Sequence, residues 1–302
     1  MRTDEDFLAR LRTVTKNAVT DYRSDFPDAA PIPETRTTEV GEETASTEAV
    51  YERFDVLTTF YDGLFEVDST SVRSTWQSNL VYDCSRKELL SLLSPNLLKS
   101  FPVTGRYSPD TGMIGVSTSP TSSARASSLL ASELAHAYQD QFDSPTWDHP
   151  YLREGFEQAV AIKAQEHLAA QYSHDRLDHL AVRNRVQTLV EGYITHALRN
   201  GRVVPEMLSE LGLTSEEVSV LRENLPWRLL RVLSPRYEWS DVKIAPDYML
   251  FGSLLLVSET AGIDETFSRA FHGTHPWEEQ INSIQEIEAG VHRIIPWGVP
   301  VR

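Results

Sequence analysis

Glu133 and His136 stand three apart in the run ASELAHAYQDQ at residues 131–141, and their types and spacing suit metal-assisted hydrolysis. In the pattern His-Glu-x-x-His on a helix, imidazoles at i and i+4 face one way and hold zinc. The Glu beside the first imidazole acts as general base toward a metal-bound water. Here the second and fifth places are filled, but Ser132 stands where the first imidazole belongs. A neutral hydroxyl is a poor zinc ligand beside imidazole, carboxylate or thiolate. One anchor of the site is missing.

A site of this kind takes its third ligand, a Glu, from a neighbouring helix and leaves a fourth position for water. Two residues could serve. Glu154, in YLREGFEQAV, lies eighteen residues beyond His136 on the next expected helix. A short turn after Phe142 would fold that helix back beside the first, which favours Glu154. Glu191, in LVEGYITH, sits one helix further on and stays open as the alternative. His149 and His167 flank Glu154 and are the imidazoles available as substitutes for the missing one. Taken alone the motif is weak, because helical Glu and His pairs are common and the absent His is its distinctive residue.

Helical periodicity dominates the elements that must position these residues. Phe7, Leu8, Leu11, Val14, Ala18 and Tyr22 form an apolar stripe, and Val50, Phe54, Leu57, Tyr61 and Leu64 form another. Between them, residues 24–47 gather three Pro with many Thr and Glu and read as an extended acidic linker. Asn79–Cys84 predicts a short strand, with Ser85 capping a helix through Leu93. The run FPVTGRYSPDTGMIGVST at 101–118 predicts a β-hairpin whose Gly112 takes positive φ. Further helices are expected at 122–142, 150–172, 175–199, 205–211, 214–233, 246–260, 263–271 and 276–288, separated by Gly and Pro. The fold class expected is α+β, predominantly α. The expected division is an N-terminal helix at 1–23, the linker at 24–47 and one main domain at 48–302.

Composition narrows the partners. Forty-four acidic residues against 28 basic ones give a net charge of −16, with only five Lys. Such a surface suits a cytoplasm of high salt, where carboxylates stay hydrated and their repulsion is screened. It argues against nucleic-acid and anionic-membrane partners, since phosphate recognition needs a basic patch. The first residues lack the apolar core of a signal peptide, and MLFGSLLLV at 249–257 is too short to span a bilayer. A cytoplasmic location is the expectation. The single cysteine, Cys84, reads as a small buried apolar residue rather than a nucleophile.

With order and context added, residues 56 to about 290 resemble a group of prokaryotic zincin-like metallopeptidases, well represented in haloarchaea, whose signature is close to HELTHALQDQ. AHAYQDQF keeps the tail of that signature, including Gln139, Asp140 and Gln141. The strand leading into SRKELLSLL, the hairpin YSPDTGMIGV, and DYMLFGSLLLVSETAG followed by HPWEEQI are similar to further parts in the same order. LVEGYITH resembles that group's VEG segment, whereas LREGFEQAV resembles the glutamate helix of thermolysin-like and aminopeptidase-like gluzincins. The resemblance implies a gluzincin-type domain with zinc ligands at 132, 136 and either 154 or 191. It implies that Glu133 polarises the attacking water and that Asp140 orients the His136 imidazole. With Ser132 at the first ligand position, it implies a degenerate peptidase that binds a peptide or protein partner without hydrolysing it, holding zinc weakly or not at all. The alternative is an active zinc peptidase using His136, one of the two Glu and a recruited His such as His149.

Overall fold

The structure, a computed structural model, describes residues 4–28, 47–85, 105–119, 123–148, 150–173, 175–199, 209–218, 245–260, 262 and 265–274. Most of the expected linker, the helices expected at 85–93 and 276–288, most of those at 205–211 and 214–233, and His149 lie outside these residues. So does the Cys84 side chain. In chain order the elements are α1 (Asp4–Asp25), α2 (Thr47–Phe65), α3 (Thr70–Ser78), β1 (Leu80–Ser85), β2 (Gly105–Ser108), β3 (Met113–Ser119), α4 (Ser123–Gln141), α5 (Pro150–Tyr172), α6 (Asp175–Arg199), α7 (Ala245–Thr260) and α8 (Thr266–Phe271). The described residues are predominantly helical with one small sheet, as the periodicity predicts.

Helix α5 is the central element. Ala159, Val160, Ala161 and Ile162 are all buried, so successive residues face protein on every side rather than along one stripe. It packs against α4, α6 and α7 together. Gly252 lets α7 approach closely: a Cβ there would lie 3.0 Å from the Gly155 carbonyl oxygen and 3.3 Å from Thr188 Cγ2. Helix α1 buries Leu11, Val19 and Tyr22 and packs on α6 and α7. Its end is pinned where the Tyr22 hydroxyl meets His179 Nε2 at 3.1 Å and Phe26 stands edge-on to the same imidazole.

The sheet has strand order β1-β3-β2. Strand β1 runs parallel to β3, with Leu80 opposite Ile114, and β2 pairs antiparallel to β3, with Tyr107 opposite Ile114. The hairpin turn holds Gly112 at φ 63°, the left-handed region its Pro-Asp-Thr-Gly sequence calls for. Among the described residues strand β2 is therefore a sheet edge, and it lies against α4.

Helix α3 has no counterpart in the periodicity, since Val72 and Trp76 are its only apolar side chains in nine residues. A tertiary knot holds it instead. Asp62 on α2 accepts from Ser69 Oγ at 3.0 Å, pairs with Arg73 at 2.7 Å and accepts the Tyr138 hydroxyl of α4 at 2.7 Å. Trp76 then packs on the Tyr138 ring at 5.0 Å. Among the described residues no helix is long and apolar enough to cross a membrane.

The Gly252 contact generates a prediction. Gly252→Ala places a methyl group against a helix backbone that cannot swing aside, and overpacking of this kind costs about 1–3 kcal/mol. Thermal unfolding followed by circular dichroism should show a melting temperature lower by several degrees. An unchanged or raised value would mean that the α5–α7 crossing is looser than described.

Candidate metal centre

Helix α4 carries Ser132, Glu133 and His136, and its end is set by a left-handed residue. Asp143 takes φ 49°, the Ser144 N–H reaches the Gln139 carbonyl at 2.9 Å, and the Asp143 N–H reaches that of Asp140 at 3.3 Å. This double bond pattern is the Schellman closure, and Asp tolerates the conformation better than most residues. The chain then turns through Ser144–Asp148, and α5 returns alongside α4. Ser144 Oγ donates to the Phe271 carbonyl at 2.6 Å, fixing this turn on α8.

The return brings Glu154 and Glu157 to His136. His136 Nε2 lies 3.7 Å from Glu154 Oε2, and one ligand atom from each of His136, Glu154 and Glu157 falls within 4.8 Å of the others. Glu157 is 8% exposed, whereas the Glu154 side chain is 38% exposed and also meets Arg153 Nε at 3.1 Å. The Ser132 hydroxyl lies near enough to the Glu157 carboxylate to favour its charged form. The position expected to carry the first ligand is thus beside a second carboxylate of α5.

Glu133 faces the sheet edge. It accepts the backbone N–H of Tyr107, and a Cβ at Gly105 would stand 2.7 Å from its Oε1. A larger residue at that point of β2 would displace the carboxylate from its present position. Burial pushes Glu133 up to about 8; His136 opposes this, while Glu157 and Glu154 add to it and the Tyr107 N–H offsets part. Glu157 is pushed up to about 7 by burial first, with His136 and the Ser132 hydroxyl pulling down and Glu154 pushing up. Burial alone would lower His136, but Glu154, Glu157 and Glu133 together outweigh it and hold the imidazole above its ordinary value.

The remaining expected site residues are placed elsewhere. Glu191 is buried on α6 and accepts from Gln187 Nε2 at 3.0 Å; it is not one of the three clustered groups. His167 stacks on Phe60 at 4.6 Å between ring centres. Asp140, expected to orient His136, instead accepts the Tyr107 hydroxyl at 2.6 Å, and Gln139 Oε1 lies 3.1 Å from His136 Nδ1. One helical position separates the two roles: residue i+3 from His136 stays inside against the turn, and i+4 rotates toward β2.

Three residues unmarked in sequence complete the centre. Glu157 was legible in principle, since it lies one turn from Glu154 on the same face. Gln139 belongs to the recognised QDQ tail, yet nothing in the tail shows which of its polar groups turns inward. Trp147 stands edge-on to both His136 and Tyr107 at 6.1 Å, with the Arg153 guanidinium over its ring at 4.9 Å. No local pattern announces it. Beyond Ser132 a cleft of about 170 Å³ opens between α4, α5 and α6, lined by Arg125, Ser128, Gln158, Gln165 and Asn184 among others.

The residues do not fit a two-imidazole zinc set, because position 132 carries a neutral hydroxyl and not a second imidazole. They do fit a cation held by one nitrogen and two carboxylates.

The raised groups give a pH prediction for protein stripped of divalent ions. Glu133 and Glu157 keep their protons in the fold up to about 8 and about 7, against 4.5 for each as an ordinary carboxyl. Between those limits the folded chain binds more protons than the unfolded one, so stability present below about pH 4.5 is lost as pH rises through 7 and 8. His136, raised likewise, acts in the same direction. Chemical denaturation at constant high salt should show stability falling from pH 5 to pH 8 by on the order of a few kcal/mol. Glu133→Gln should flatten the fall. A flat or rising profile in the unaltered protein would contradict the burial of these groups.

Comparison with protein-family models, with curated proteins and with solved structures finds no match to this chain.

Proposed function

We propose that this protein is a degenerate relative of the zincin-like metallopeptidases, which has lost zinc-dependent hydrolysis and serves as a binding or regulatory protein. The observation that carries the reading is Ser132. It occupies the first ligand position of a helix that otherwise carries Glu133 and His136 in the expected places. Without two imidazoles and a carboxylate around zinc, the acidity of the attacking water is no longer tuned in the manner of that chemistry.

Two features support a peptide or protein as the partner. Among the described residues strand β2 is a sheet edge beside the centre, and an edge strand offers backbone groups to an added strand. Its Tyr107 and the neighbouring Trp147 form an aromatic wall next to His136. The chain's charge of −16 favours a partner that is not strongly acidic.

The test is hydrolysis of casein and of a peptide library at high salt, with added zinc and with a chelator. The expected result is no chelator-sensitive cleavage, and no difference between the unaltered chain and Glu133→Gln. Cleavage that a chelator blocks and that Glu133→Gln abolishes would establish the rival reading, an active zinc peptidase.

A further inference from the structure

We propose that His136, Glu154 and Glu157 form a divalent-cation site of oxygen-dominated coordination, built from one imidazole nitrogen and two carboxylates. The inference deepens the reading above and shares its premise that no second imidazole replaces Ser132. It moves a ligand position from α4 to α5, where Ser132 lies beside Glu157.

Proximity of acidic groups would say little by itself. The orientation of the imidazole is the separate observation. Gln139 is fully buried, and its amide nitrogen donates to Thr146 Oγ1 at 2.8 Å and to the Arg153 carbonyl at 3.3 Å. A carbonyl only accepts, so turning the amide round would set oxygen against oxygen. Gln139 Oε1 must therefore face His136 Nδ1, as it does at 3.1 Å, and that nitrogen must carry the proton. In the neutral ring Nε2 is then the lone-pair donor, and it points to Glu154. Metal-ligating imidazoles are held in this way, by a hydrogen bond from the far nitrogen to a fixed acceptor. Arg153 contributes its carbonyl to Gln139 and its guanidinium to Glu154, so one residue braces both sides of the centre.

The donor set indicates the class of cation. Carboxylate oxygens suit Mg²⁺, Mn²⁺ and Ca²⁺, an imidazole adds affinity for the transition metals, and Mn²⁺ satisfies both. Three protein ligands leave the remaining positions to water.

The experiment uses the full chain, stripped by chelator and titrated with Mn²⁺ in concentrated KCl to screen the acidic surface. Electron paramagnetic resonance should count one tightly held Mn²⁺ per chain, with coupling to a single ¹⁴N nucleus. His136→Ala should remove that coupling and weaken binding by more than tenfold. Glu157→Gln should weaken it by about tenfold or more, at least the loss seen on removing an outer-shell partner. If that buried variant does not fold, Glu154→Gln at the more exposed ligand carries the same expectation. Ser132→His should add a second nitrogen coupling and raise the ratio of zinc to manganese affinity by about tenfold or more. Weak binding alone, Mn²⁺ bound without nitrogen coupling, or indifference to both Glu variants would overturn the inference. Tight Mn²⁺ together with zinc-dependent cleavage would leave the site standing and remove the proposed loss of hydrolysis; inactivity without Mn²⁺ would do the reverse.

Discussion

Where α4 and α5 face each other, Glu133, Glu154 and Glu157 gather around one imidazole, with Glu157 buried and Glu154 partly exposed beside Arg153, and the character of the site follows from that. The imidazolium and the Arg153 guanidinium together balance only two of the three carboxylates. Buried like charges repel strongly in a medium that screens poorly. Protons held above the ordinary carboxyl range relieve the repulsion, and so would a cation. The scaffold therefore has to hold two helices together against the electrostatics of what they carry.

Packing does most of that holding. Phe156, between Glu154 and Glu157 in sequence, points to the opposite side of α5, where Phe65 and Phe271 stack on each other at 4.4 Å and receive it at 5.6 and 6.0 Å. Gly155 presents bare backbone to Gly252, so α7 closes on α5 without side chains between them. The Tyr61 hydroxyl donates to the Ala131 carbonyl at 2.8 Å, next to Ser132, and Arg53 reaches the Ser123 carbonyl at 2.8 Å. Apolar contact on one side of each helix thus offsets the unfavourable charge on the other.

A second charged cluster on the same helices shows the opposite balance. Lys163 and Arg185 alternate with Glu166 and Glu259, so that each cation touches both anions at 2.5–3.2 Å across α5, α6 and α7. Two positive and two negative groups cancel, and the cluster needs nothing further. At His136 three carboxylates meet only the imidazole and the Arg153 guanidinium. That imbalance, rather than the mere presence of charge, separates a ligand-seeking centre from a brace.

Much of this protein was legible as a string of residues. The apolar spacing of α2, α4, α5 and α6 placed those helices within a few positions, because a helical repeat over many residues has few other solutions. The Pro-Asp-Thr-Gly turn announced the hairpin. Other features were decided only in three dimensions. Helix α3 exists through Asp62, Arg73 and Tyr138, which are distant in sequence and share one buried knot. The choice between Gln139 and Asp140 behind His136, and the presence of Glu157 rather than Glu191 beside it, turned on how α5 is rotated against α4. Sequence spacing sets which residues share a face of one helix; packing between helices decides which faces meet.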